Sequence, residues 1–169
     1  ATTPLGLFSA ALFVAMIAAA LVIDRGAPAK AARIFRYPGT LGSDFIAREG
    51  FAQALVNMGL NGLVATAYVL LVGGPLNGPT LGGILAVAGF GAFGKHLKNI
   101  LPIFAGVIIG GLTKNWNIND PSILFAALFG TSLAPIAGHY GWFWGVVAGF
   151  VNSSVVLHCG VLHGGMNLY

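Results

Sequence analysis

Charge is what this sequence has least of: 8 lysines and arginines and 4 acidic residues among 169, or 7%. A soluble globular domain carries about 25% charged residues, so a soluble domain is excluded. No paired carboxylate, activated nucleophile or phosphate-binding loop is apparent. The glycine-rich stretch 89–94 superficially echoes a dinucleotide fingerprint, but no strand and no ribose-binding acid accompany it. Cysteine occurs once, as Cys159, which excludes an intramolecular disulfide and leaves the redox compartment open. His158, Cys159 and His163 have poor helical ligand spacing and no nearby acidic residue as a third ligand, so no metal site is expected. These absences point away from an enzyme and from any cofactor. The net charge of +4 reflects scattered loop lysines and arginines rather than a nucleic-acid surface.

What is present is hydrocarbon. Hydrophobic residues make up 57% of the chain and the mean hydropathy is +0.87, the composition of an integral membrane protein. Residues 5–23 form an apolar run close to the roughly 20 residues that cross a bilayer. No basic residue precedes the run and the positive charge follows it, so it reads as a true span with its N-terminus outside, not as a signal peptide. The segment 24–49 then holds Arg25, Lys30, Arg33, Arg36 and Arg48, five of the eight basic residues. By the positive-inside rule it is cytoplasmic. Its residues 29–37 interleave basic and apolar side chains, which predicts a short helix at headgroup level or an ordinary basic loop. Ser43 or Asp44 is expected to cap the next helix, and Asp44 to form a surface ion pair with Arg48 four residues on.

The second span, 50–72, is unusual. Gln53, Asn57 and Asn61 recur every fourth residue and stack along one face of a helix. A buried amide in hydrocarbon must find a partner, so this seam faces either another helix or a polar path. After a Gly/Pro turn at 73–80, the segments 81–94, with Thr80 as its cap, and 100–113 are short and interrupted by Gly and Pro. That pattern points to discontinuous helices around a site within the membrane, or to two tilted short spans. Asp120-Pro121 starts a span over 122–136, broken near 132–135. The last span, 142–158, carries Asn152, Ser153 and Ser154, the natural facing wall for the seam. Alternating sides from an outside N-terminus places seven basic residues in the cytoplasm and Lys114 alone outside, which agrees with six crossings. A re-entrant 81–113 would instead bring Lys95, His96 and Lys98 into the membrane as a gate or anion contact. Phe93-Gly94 followed by Gly106-Val107-Ile108-Ile109-Gly110 is echoed by Phe129-Gly130 followed by Gly145-Val146-Val147-Ala148-Gly149, and Met58-Gly59-Leu60-Asn61 by Gly164-Gly165-Met166-Asn167. Both echoes hint at half-repeats.

The blocks Tyr37-Pro38-Gly39-Thr40-Leu41-Gly42-Ser43-Asp44-Phe45, Leu76-Asn77-Gly78-Pro79-Thr80-Leu81-Gly82-Gly83-Ile84, Gly91-Ala92-Phe93-Gly94-Lys95-His96 and Leu162-His163-Gly164-Gly165-Met166-Asn167-Leu168-Tyr169 resemble a family of bacterial multi-pass membrane proteins of unknown function. The resemblance covers most of the chain after the first span and implies a bacterial inner-membrane location. Members of that family run on past the position of Tyr169, so the chain is expected to be a piece of a longer one. Met58-Gly59-Leu60-Asn61-Gly62, with Met166-Asn167, is more distantly similar to the half-repeat of urea transporters, where two inverted halves enclose a narrow pore, commonly in a trimer. That likeness implies a urea-like solute and a homo-oligomer.

The expected architecture is all-α: a polytopic transmembrane bundle of about six segments, some short, broken or re-entrant. It forms a single domain over 1–169, divided into a first span (1–23), a basic cytoplasmic loop (24–49) and a helical core (50–169). Every acidic residue falls at a predicted span end, and coupled transporters keep a carboxylate in the membrane. Passive passage of a small polar solute, lined by Gln53, Asn57, Asn61, Asn152, Ser153 and Ser154, is the expected function. The alternative is a non-transporting membrane subunit whose glycine faces and basic loop dock a partner.

Overall fold

The computed structural model describes residues 2–40 and 43–162, with side chains described for 4–40 and 43–158. The blocks at 41–42 and 163–169, including Met166 and Asn167, and the side chain of Cys159 lie outside these described residues. The described chain is all-α. Helix α1 spans Thr2–Ile23, α2 Ala27–Ala31, α3 Phe45–Glu49, α4 Phe51–Leu71, α5 Gly78–Gly89, α6 Leu97–Thr113, α7 Pro121–Leu128, α8 Ala134–Tyr140 and α9 Trp142–Leu162. Three-residue-per-turn segments extend α2 over Ala32–Arg36 and α5 over Phe90–Ala92, and join α7 to α8 over Phe129–Leu133. Three stretches are long and apolar enough to cross a membrane, Pro4–Ile23, Phe51–Leu71 and Pro121–Tyr140, and three shorter apolar helices, Gly78–Ala92, Leu97–Thr113 and Trp142–His158, stand among them. This is a multi-pass membrane protein.

Local chemistry explains where the helices start. Asp44 Oδ1 accepts from the Ala47 amide and caps α3. Its carboxylate is thereby used, and the surface ion pair expected with Arg48 does not form; Arg48 lies over the Tyr37 ring at 5.7 Å instead. Asn77, not Thr80, caps α5. Asn77 Oδ1 accepts from the Thr80 amide at 3.1 Å and Thr80 Oγ1 accepts from the Asn77 amide at 2.8 Å, a reciprocal box that moves the helix start to Gly78. Asp120 caps α7 as its sequence predicts, accepting from the Ser122 amide at 2.8 Å.

The six apolar segments alternate in direction. Helix α1 runs antiparallel along α4: Ser9 shares a hydroxyl hydrogen bond with Thr66 at 2.8 Å, Phe13 fills the space over Gly62, Ile17 lies on Gly59, and Asp24 meets Gln53. Helix α5 descends along α4 until Gly91 lies against Met58 and Asn61. Helix α6 climbs back, and Tyr68 of α4 stacks on Phe104 of α6 with ring centroids 4.5 Å apart. The α7–α8 segment descends and α9 ascends beside α6.

Helices α6 and α9 pack closely through glycines. Gly106 lies under the Val146 carbonyl, Gly149 under the Ile103 carbonyl, and Gly110 under the Ser153 hydroxyl, each too near for a Cβ. Between helices in lipid, dispersion at such small-residue contacts is the main attraction. Gly145 packs in the same way on Pro102 and Ala137.

Candidate functional site

The site grows out of a break in the chain. After Ala92 the backbone leaves helical geometry: Phe93 is at φ −135° and ψ 63°, Gly94 at φ +100°, and His96 is extended before α6 begins. Carbonyls in such a turn have no donor four residues on, and where they are buried in protein they must find a partner elsewhere. The seam on α4 meets this need. Asn57 Nδ2 donates to the carbonyls of Gly91 and Lys95, both at 2.7 Å, and Asn61 Nδ2 donates to the same Lys95 carbonyl at 3.0 Å. Since both acceptors are carbonyls, the orientation of the two amides is fixed. Their oxygens, Asn57 Oδ1 and Asn61 Oδ1, are buried and have no hydrogen-bond partner among the described residues. Gln53, one turn below, donates to Asp24 Oδ2 at 2.9 Å and so tethers the basic segment to α4.

The side chain of Lys95 turns inward from the same break. It is 9% exposed, its Nζ donates to Thr131 Oγ1 at 2.7 Å, and it lies 4.7 Å from the Phe90 ring centroid. Thr131 belongs to the Phe129–Leu133 interruption and donates in turn to the Leu128 carbonyl at 2.6 Å. Two broken helices therefore meet at one buried cation. Among the described residues the only ion pair is Lys30–Asp24, so the Lys95 charge is met by a hydroxyl and a ring face, not by a carboxylate.

The segment after α2 closes this region from the basic side. Asp44 bridges to Phe93 in antiparallel fashion. Gly39, at φ +80°, faces Gly94 so closely that a Cβ on either would meet the other's backbone. Gly138 of α8 lies under the Pro38 carbonyl with the same lack of room. His96 Nε2 donates to the Tyr37 carbonyl at 2.9 Å, its ring edge-on to Phe35, and Tyr37 OH donates to Glu49 Oε1 at 2.7 Å. Asn99 ties the break to α6, its Oδ1 accepting from the His96 amide and its Nδ2 donating to the Gly94 carbonyl, both at 2.9 Å. Lys98 stays exposed and lines a cavity of about 150 Å³ together with Arg36, His96 and Asn99.

Of the expected pathway residues, Asn57 and Asn61 are brought together, beside Lys95, which was expected as a gate or anion contact only if 81–113 were re-entrant; Gln53 is on Asp24 instead. Asn152, Ser153 and Ser154 do not face the seam. Asn152 Nδ2 donates to the Ala126 carbonyl of α7 at 2.8 Å, Ser153 Oγ to the Phe150 carbonyl at 2.7 Å, and Ser154 Oγ accepts from Lys114 Nζ. Sequence reasoning missed Thr131, a lone threonine in an apolar run, and the wedge of Pro38 and Gly39. The one available signal for the wedge was the Pro-Gly step itself.

A family model described as "Protein of unknown function (DUF1576)" matches residues 24–169. No curated protein and no solved structure matches, urea transporters included.

Proposed function

The chain belongs to the DUF1576 family, whose function is unknown, and from its own geometry we propose that it lets a small polar solute cross the membrane at the junction of the two broken helices. The carrying observation is the pair of buried amide oxygens, Asn57 Oδ1 and Asn61 Oδ1, left without donors beside the Lys95 peptide. Each such acceptor costs about 1–3 kcal/mol while unmet, and a solute bearing N–H or O–H groups relieves that penalty as it passes. Lys95, held by Thr131, offers further N–H donors to a solute oxygen. Urea, ammonia, glycerol and water have the required complementarity. The acidic residues Asp24, Asp44, Glu49 and Asp120 lie at or between helix ends, which favours passive passage over coupling to protons or sodium.

The alternative of a docking subunit loses part of its support, because Gly106, Gly110, Gly145 and Gly149 are consumed within the chain. Stopped-flow uptake into proteoliposomes, with urea, ammonia, glycerol, formate and water run in parallel against empty vesicles, tests the proposal. Saturable entry of one neutral solute is expected, at least tenfold slower in Lys95→Met. Flux indistinguishable from empty vesicles for every solute, from intact monodisperse protein, overturns it in favour of docking.

A further inference from the structure

Two cavities in different chemical surroundings share one residue. The first is the cavity of about 150 Å³ on the basic side. Its walls carry Arg36 and Lys98, neither of which has a carboxylate partner among the described residues. The N-terminal ends of α6 and α9 both reach it, through Lys98 and Asn99 on one helix and Gly141 and Trp142 on the other. Helix N-termini carry partial positive charge and free amides, and here two long helices present theirs side by side. His96 also lines the cavity and is 1% exposed; its Nε2 donates to Tyr37, which leaves Nδ1 as an acceptor without a partner among the described residues, suited to a headgroup hydroxyl and not to the phosphate itself. No acidic residue lines the cavity. The chemistry it matches is that of a phosphate oxyanion.

The second cavity is an apolar groove of about 380 Å³ between α4 and α6, walled by Val64, Leu71, Leu101, Phe104 and Ile108. Trp142 lines both. A free phosphate would use the first and leave the second empty. A phospholipid uses both, its phosphodiester among Arg36, Lys98 and the helix ends, and an acyl chain along α6 past Trp142, a residue type enriched at headgroup depth.

We infer that the paired cavities form a binding site for an anionic phospholipid, with the headgroup between the Ala32–Arg36 segment and the α6 and α9 N-termini and one acyl chain in the α4–α6 groove. A zwitterionic choline headgroup would place its cation against Arg36 and Lys98, so the site discriminates by charge. The inference does not rest on solute passage.

The test is equilibrium binding to the purified protein in detergent, titrated separately with phosphatidylglycerol, phosphatidylcholine and inorganic phosphate. Phosphatidylglycerol is expected to bind tightest. Each basic side chain near a headgroup is worth about a fivefold preference, so Arg36→Gln and Lys98→Gln each lower that preference about fivefold. A phosphatidylglycerol carrying a photoreactive acyl chain is expected to label the peptide containing 101–108, which reads the groove in unaltered protein even if the variants fail to fold. Equal binding of the two lipids, or label spread evenly over α1 and α9, overturns the site. Full competition of the lipid by inorganic phosphate would assign the basic cavity to free phosphate and overturn the lipid reading.

Discussion

Asn57 holds two backbone carbonyls at once while Asn61 shares one of them, and this asymmetry ranks their substitutions. Asn57→Leu leaves the Gly91 carbonyl without that donor and is expected to lower stability by about 1–3 kcal/mol. Each substitution removes one orphaned oxygen, but Asn61→Leu leaves the Lys95 carbonyl bonded to Asn57 and so should be close to neutral. Thermal unfolding in detergent checks the order; equal losses would contradict it. Lys95→Met should separate folding from function. Methionine removes the desolvation cost of a buried ammonium that has no carboxylate partner among the described residues, whereas the proposed passage requires the ammonium. Unchanged or raised unfolding temperature with lost flux is the expected outcome. The four-residue spacing of the seam was legible in the sequence because it follows from helix periodicity alone. Its partners were not, since backbone carbonyls 34 and 38 residues away leave no mark on residue type.

At the scale of elements, the Gly-x3-Gly stretches of α6 and α9 were legible as an internal echo, and in the folded protein they lie against one another. The echoed Phe93-Gly94 and Phe129-Gly130 fall at the two helix interruptions, each facing an asparagine-bearing helix, α4 in one case and α9 in the other. Gly149→Val would drive its Cβ into the Ile103 carbonyl. Overpacking of this kind costs about 1–3 kcal/mol or more, and loss of folded yield in a detergent-stability assay is expected, whereas the same change at Gly82, which has open space around it, should be tolerated. The basic segment depends on Asp24. The hydrogen bond from Lys30, then the Gly26 amide, hold its carboxyl below the ordinary 3.8. A depressed carboxylate contributes its stabilisation fully above 3.8 and loses it as pH falls further through the lowered value. Amide exchange over 24–36 should therefore accelerate only below that pH, together with release of Gln53.

For the whole molecule, hydropathy sufficed to place all six apolar segments and their order. It could not show that α6 and α9 run side by side, or that Gly39 packs onto Gly94 at the break, because both depend on contacts between distant glycines. The alternation of direction makes a prediction about sides. Single cysteines at Arg33 and Lys98, in a background with Cys159 replaced, should react with a membrane-impermeant maleimide from one face, and a cysteine at Lys114 from the other. Labelling of all three from the same face would refute six crossings.

The hydrogen bond between Lys95 and Thr131 also fixes an order in time. Thirty-six residues separate the two, and at about 5–20 residues per second a ribosome takes roughly 2–7 s to supply the second after the first. Throughout that interval the ammonium has no hydroxyl to meet it, and the wedge of Pro38 waits longer still for Gly138. The hairpin of α5 and α6 is thus expected to settle fully only once the Phe129–Leu133 segment has been made.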